Sequence, residues 1–158
     1  MLNRIKHVIK CFRNKELYKQ LKLLDSEEAV FLFGSPLYWN EGDQAIAVAE
    51  HRLWEKHIKN KNLVDIPREL WEQKKDIICS KNINNRPVFF TGGGYVGDVW
   101  NDEQLFVEDV LHNFQNNPIV FFPQTVYFRE DANFQRFIDL LNSNKNVLFF
   151  ARDSKTFE

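Results

Sequence analysis

Pro87-Val88-Phe89-Phe90-Thr91-Gly92-Gly93-Gly94-Tyr95-Val96-Gly97-Asp98 runs an apolar strand pattern straight into a glycine triplet and on towards a helical pattern. Parallel α/β sheets build binding loops in this way. Glycines reach positive φ and bring backbone N–H groups close to a ligand, while the following helix points its positive dipole end at the same place. A glycine triplet alone serves equally well as a tight structural turn. Its weight comes from what surrounds it.

Upstream, Ala29-Val30-Phe31-Leu32-Phe33 is a continuous apolar run stopped by Gly34-Ser35-Pro36, as suits a strand buried on both faces. A helix is expected from about Gly42 to Lys59, with Ala45, Ile46, Val48, Ala49, Leu53 and Trp54 inward. Leu63 to Ile66 reads as a short strand, and Pro67 opens a helix reaching about Ile78. Downstream, Asn101 to Gln115 has helical apolar spacing, Pro118 to Pro123 reads as a strand, Asp131 to Asn142 as a helix, and Val147 to Ala151 as a strand. Strands that are apolar throughout and alternate with helices call for an α/β fold: a Rossmann-like parallel sheet of about five strands with helices on both faces. Residues 1–25 form a separate feature. Leu2, Ile5, Ile9, Phe12, Leu17, Leu21 and Leu24 recur at largely helical spacing among lysines and arginines, which predicts a basic amphipathic helix. It is read as a helix packed on the flank of a 26–158 domain, with peripheral contact to anionic lipid as the alternative.

The 158 residues fit one domain. Net charge is -1, so no basic excess argues for a nucleic-acid partner. Cys11 and Cys79 lie far apart without metal-ligand spacing, which predicts reduced thiols and no metal site. No leader-like or membrane-spanning apolar run is found, and a cytoplasmic location is expected, with the inner membrane face as the surface the basic helix would touch.

The chemistry falls after strand ends. Gly34-Ser35 lead to Asn40-Glu41-Gly42-Asp43; then come Thr91 to Asp98, Gln124-Thr125 and Arg152-Asp153. A parallel sheet gathers such loops on one edge, where open α/β sheets bind ligands. Each residue also has a structural reading: Asp43 capping its helix, Asp98 or Asn101 capping the next, Arg152 paired with Asp153 or Asp98. No glycine-rich loop ends in the phosphate-binding Gly-Lys-Ser/Thr, and no G-x-S-x-G elbow supplies a nucleophile. His7, His51, His57 and His112 all fall in helical stretches away from strand ends. Carboxylates therefore remain for proton transfer, with Asp43 and Asp98 first and Glu41 behind them. Gly34, Ser35, Asn40, Gly42, Gly92, Gly93, Gly94, Gln124, Thr125 and Arg152 are the candidate substrate-binding residues, the last as a planar donor for phosphate or carboxylate.

The order Gly34-Ser35, Asn40-Glu41-Gly42-Asp43 with Ala45-Ile46, Gly92-Gly93-Gly94 with Gly97-Asp98 and Trp100, Phe122-Pro123-Gln124-Thr125, and Ala151-Arg152-Asp153 resembles the polysaccharide pyruvyl transferase family. The likeness runs from about residue 30 to the end of the chain, with Thr156 where a serine is usual. It implies transfer of a pyruvyl group from phosphoenolpyruvate, a substrate rather than a cofactor, to a hydroxyl of a saccharide or lipid-linked saccharide in surface polysaccharide biosynthesis. It also implies a glycosyltransferase-B-like architecture, of which this chain would be the N-terminal lobe. A C-terminal lobe or a completing partner chain would then supply the basic residues for phosphoenolpyruvate. Two other readings stay open: a lobe of a sugar-nucleotide glycosyltransferase, and a noncatalytic saccharide-binding or interaction module that forms a homo-oligomer over an exposed apolar patch.

Overall fold

The computed structural model describes residues 22–24, 26, 28–58, 60–81, 85–144 and 146–157. The amphipathic pattern of residues 1–25 lies almost wholly outside them, although Leu24 is buried in the core. The chain order is β1 (Ala29–Phe33), α1 (Glu41–His57), β2 (Asn62–Ile66), α2 (Arg68–Ser80), β3 (Val88–Phe90), β4 (Gly93–Gly97), α3 (Asn101–Asn113), β5 (Ile119–Tyr127), α4 (Asp131–Ser143), β6 (Val147–Ala151) and α5 (Ser154–Phe157).

Every strand pair is parallel. β1 lies between β2 and β3, and β5 pairs with β3, β4 and β6. Phe90 pairs with Phe121 and Gly93 with Gln124, so β3 and β4 occupy successive lengths of the same side of β5. The sheet thus has five positions across, as expected, but six strands, because the third position is split by Thr91-Gly92. The glycine segment expected as a loop is itself a strand, held by pairing with β5. β5 also runs past the expected end at Pro123. Proline cannot donate to the ladder, and both flanking registers shift near it: the pairing with β6 slips between Phe121 and Gln124.

Alternation along the strands divides the core. Phe31, Phe33, Phe90, Phe121 and Phe149 share the face covered by α2, α3 and α4. There Phe33 meets Trp71 at 5.5 Å and Phe114 at 5.6 Å between ring centroids, and Phe90 stacks on Phe121 at 4.4 Å. Aromatic contacts of this kind add to the stabilisation from burial itself. On the other face α1 sets Trp54 edge-on to Phe89 at 5.3 Å. Beyond α1, Leu148 and Phe150 on β6 remain 51% and 45% exposed. Among the described residues no helix is long and apolar enough to cross a membrane.

The chain order reverses direction across the sheet between β1 and β3. Such a switch point opens a crevice outside the carboxyl ends of the strands.

Candidate functional site

A cavity of about 450 Å³ lies at this edge, lined by Tyr38, Asn40, Asp43, Gly94, Tyr95, Trp100, Glu103 and Arg152. Four of the residues expected from the sequence, Asn40, Asp43, Gly94 and Arg152, meet here from three separate stretches of chain.

The start of α1 sets the first wall. Asn40 caps the helix, its Oδ1 accepting from the Gly42 N–H at 3.0 Å and, more weakly, from that of Asp43 at 3.5 Å. That cap fixes Asp43 in the first turn, where the helix dipole favours a carboxylate. The Tyr38 hydroxyl donates to Asp43 Oδ2 at 3.0 Å. Burial, then the bond to Asp43 and its charge, push the Tyr38 phenol up to about 12, so it stays a proton donor to that carboxylate. Gln44 Nε2 donates to the carbonyls of Pro36 and Tyr38, which holds the connecting loop in place.

The first turn of α3 sets the second wall. Glu103 pairs with Arg68 at 3.1 Å, yet burial raises its pKa despite that cation, a group the sequence hid as an ordinary first-turn acid. Trp100, 61% exposed, stands beside it. Arg152 follows β6. Its backbone N–H donates to the Gln124 carbonyl at 2.8 Å, whereas its guanidinium makes no hydrogen bond or ion pair among the described residues. It forms no ion pair with Asp153 or Asp98, although its charge, behind the hydrogen bond from Thr125, helps to lower the Asp153 pKa.

The remaining candidates are placed differently. Asp98 is a correction: its carboxylate accepts from the Arg129 and Glu130 N–H groups at 2.7 and 3.0 Å and from Asn133 Nδ2 at 3.1 Å, closing the start of α4. Those bonds lower its pKa, the Arg129 N–H most. The carboxylate so occupied lies outside the cavity wall and tethers the chain just ahead of α4. Gln124 is wholly buried; its Nε2 donates to the Thr91 carbonyl at 2.6 Å, and its Oε1 has no partner among the described residues. It braces the strand break from inside the sheet. Thr125 donates to Asp153 Oδ2 at 2.5 Å, and Asp153 also accepts the N–H of Thr156 at 3.0 Å. The Thr156 hydroxyl donates to the same Asp153 and accepts the Val126 N–H, so a threonine serves in that small network.

Gly92 and Gly93 are buried, and Gly94 alone of the triplet is exposed. The Gly92 N–H and the Thr91 hydroxyl both donate to Glu50 at 2.7 Å, a buried acid on α1 that sequence reasoning missed. Gly34 ends β1 and donates its N–H to the Ile66 carbonyl, and Gly42 is an exposed residue of the first turn of α1. Ser35 lies on the far side of the 34–40 loop, in a second cavity. There its hydroxyl donates to Asp65 Oδ1 at 2.6 Å, and His51 Nε2 meets both Asp65 oxygens at 3.0 Å. His51 therefore corrects the reading of the histidines as remote from strand ends, since α1 carries it across to the end of β2.

The open parallel sheet flanked by helices is a Rossmann-like fold, and its switch point carries an acid, exposed aromatic rings and an arginine without an ion pair among the described residues. Residues 40–158 match the sequence model of the family described as polysaccharide pyruvyl transferase, and the chain belongs to that family. General stress protein 30 of Bacillus subtilis (strain 168) is 34% identical over 144 residues, covering 86% of this chain and 41% of that protein. Pyruvyl transferase 1 of Schizosaccharomyces pombe is 30% identical over 132 residues, covering 81% of this chain and 32% of its own length. The chain thus spans less than half the length of these curated relatives.

Proposed function

We propose that the cavity bounded by Asp43 and Arg152 is the half of a pyruvyl transfer site that this lobe contributes, moving a pyruvyl group from phosphoenolpyruvate to a saccharide. The reading is carried by one observation: Asn40, Asp43, Gly94 and Arg152, separate in the chain and all within the matched region, line one cavity at the switch point. In the reaction two acceptor hydroxyl oxygens bond to C2 of the enolpyruvyl group, C3 gains a proton and the C2–O bond to phosphate breaks. Of the two hydroxyl protons, one is balanced by the new methyl group and the other by the released phosphate.

Asp43, oriented by Tyr38, takes the proton of the attacking hydroxyl. Glu103 suits the complementary task of protonating C3, because burial lets a carboxyl keep its proton to higher pH. Arg152 offers its unpaired fork to the carboxylate or phosphate of the donor. The exposed ring of Trp100 gives the C–H face of a sugar an apolar surface. Further basic groups and the exclusion of water fall to a second lobe or a completing chain, since rate depends on holding both substrates together.

The experiment is incubation with phosphoenolpyruvate and a saccharide acceptor, following phosphate release and the ketal methyl signal by NMR. Asp43→Asn is expected to lower turnover by about 10²–10⁴-fold, the range for loss of a general base. Phosphate release unchanged in that variant removes Asp43 from the chemistry. Consumption of a nucleotide sugar in place of phosphoenolpyruvate assigns the lobe to glycosyl transfer instead.

A further inference from the structure

The second cavity, also about 450 Å³, lies between α1, the 34–40 loop and the end of β2. Leu37 and Val48 give it apolar walls, and Ser35, Gln44, His51, Arg52, Glu55 and Asp65 supply its polar groups. The pyruvyl transfer reading uses none of them.

Hydrogen bonding fixes the state of the polar set. Asp65 accepts from Ser35 and faces His51 Nε2 with both oxygens, so Nε2 must carry a hydrogen. The imidazole's other nitrogen, Nδ1, has no protein partner among the described residues. Arg52 lines the same cavity, and its guanidinium also has no hydrogen bond or ion pair among them. With His51 protonated, the cavity presents two cationic donors, Nδ1–H and the guanidinium, and no acceptor bonded to either. Cationic donors that no protein acceptor engages, set beside apolar walls, suit an anion, which must compete with water at exposed Arg52 and with the Glu55 carboxylate on the same lining.

We propose that this cavity is a second binding site, for a small anion that bears a carboxylate or phosphate on a compact apolar body, held by His51 Nδ1–H and Arg52. The hydrogen bond from Asp65 raises the His51 pKa, against the opposing effect of burial, and so extends the cationic form towards neutral pH. The charged groups facing the imidazole are Asp65 from β2 and Glu50, Glu55 and Arg52 from α1; the 34–40 loop contributes no charge. Binding is full below the His51 midpoint and is lost as pH rises through it.

The test is NMR of the full chain with ¹⁵N-labelled histidine, titrated separately with pyruvate and inorganic phosphate on either side of the His51 midpoint. Below it, a saturable shift of the His51 signal is expected with one or both probes. Pyruvate alone assigns the carboxylate, and phosphate alone the phosphoryl group. Two pH units above the midpoint the affinity is expected to fall by about a hundredfold, in proportion to the protonated fraction. Arg52 is exposed, so Arg52→Gln leaves the fold intact and is expected to weaken binding by about tenfold, the loss of one charge-assisted contact. Asp65→Asn is expected to lower the His51 midpoint and carry the pH limit of binding down with it. The proposal is overturned if neither probe gives a saturable shift, or if calorimetry finds unchanged affinity in folded His51→Gln or Arg52→Gln protein. Because the readout is binding, its failure is independent of the pyruvyl transfer assay.

Discussion

Residues 34–43 and 91–98 are two glycine-bearing segments on the same edge of one sheet, and they use their polar groups in opposite directions. In 91–98 nearly everything turns inward. The Thr91 hydroxyl and Gly92 N–H go to Glu50, the Thr91 carbonyl accepts from Gln124 and Tyr95, and the Gly97 N–H goes to Gln104 at 2.8 Å. Its glycines answer steric demands: a Cβ on Gly92 would press to 2.8 Å from the Pro123 carbonyl, and one on Gly97 would collide with the Tyr127 carbonyl. In 34–43 the Asn40 cap settles the backbone and leaves Asp43 at the cavity wall. Of the glycines in these two segments only Gly94 lines the cavity, beside the side chains of Asn40 and Asp43.

That contrast is broken most forcefully at Gly97. Its φ of +136° is unfavourable for an L side chain, and β4 pairs it directly with Tyr127. Gly97→Ala is expected to destabilise the fold by about 2–5 kcal/mol, combining backbone strain with an overpacked contact, as read from denaturant midpoints. Gly94→Ala, whose Cβ would find only Thr125 at 3.8 Å, is expected to stay within about 1 kcal/mol. Equal losses at the two positions would remove the steric account of the segment.

Glu50 comes next. Glu50→Ala strands a buried amide and hydroxyl and is expected to cost about 2–4 kcal/mol. Glu50→Gln retains an acceptor and is expected to cost less. Burial is the first cause that raises the Glu50 pKa in the folded state. A carboxyl with a raised folded pKa binds its proton more tightly when folded, so its contribution is complete below the unfolded value and lost as pH rises through the raised one. Glu50→Gln should flatten the stability profile across that acid window. A profile unchanged by the substitution would show that Glu50 is not the group responsible.

The sheet was legible because strands buried on both faces read as unbroken apolar runs, Ala29 to Phe33 above all. β4 was not, since Gly93-Gly94-Tyr95-Val96-Gly97 has little strand propensity of its own and is extended by its pairing with β5. At the site, Asn40, Asp43 and Arg152 could be placed because topology alone brings strand ends together. Glu50 and His51 could not. An acid or imidazole on an amphipathic helix reads as solvated, and their partners Thr91, Gly92 and Asp65 lie 41, 42 and 14 residues away. The same limit applied to Gln124, whose position near a strand end suggested a ligand contact until the length of β5 put it inside the sheet.

Asp98 offers the smallest effect and the sharpest separation of the two segments. The sequence allowed it to cap a helix or to serve as a proton acceptor, and only the fold shows that the helix it closes is α4 rather than α3. Its lowered pKa follows first from the Arg129 N–H, so its stabilising contribution is present above the ordinary Asp range and lost as pH falls through the depressed value. Asp98→Ala is expected to lower the melting temperature by a few degrees at neutral pH, with the deficit against the parent chain narrowing in acid. Hydrogen exchange should speed up at the Arg129 and Glu130 N–H groups just ahead of α4, which lose their acceptor, while α3 stays protected. Faster exchange at α3 instead would show that Asp98 serves the neighbouring helix. Loss of pyruvyl transfer in an Asp98→Ala protein of undiminished stability would return it to the site.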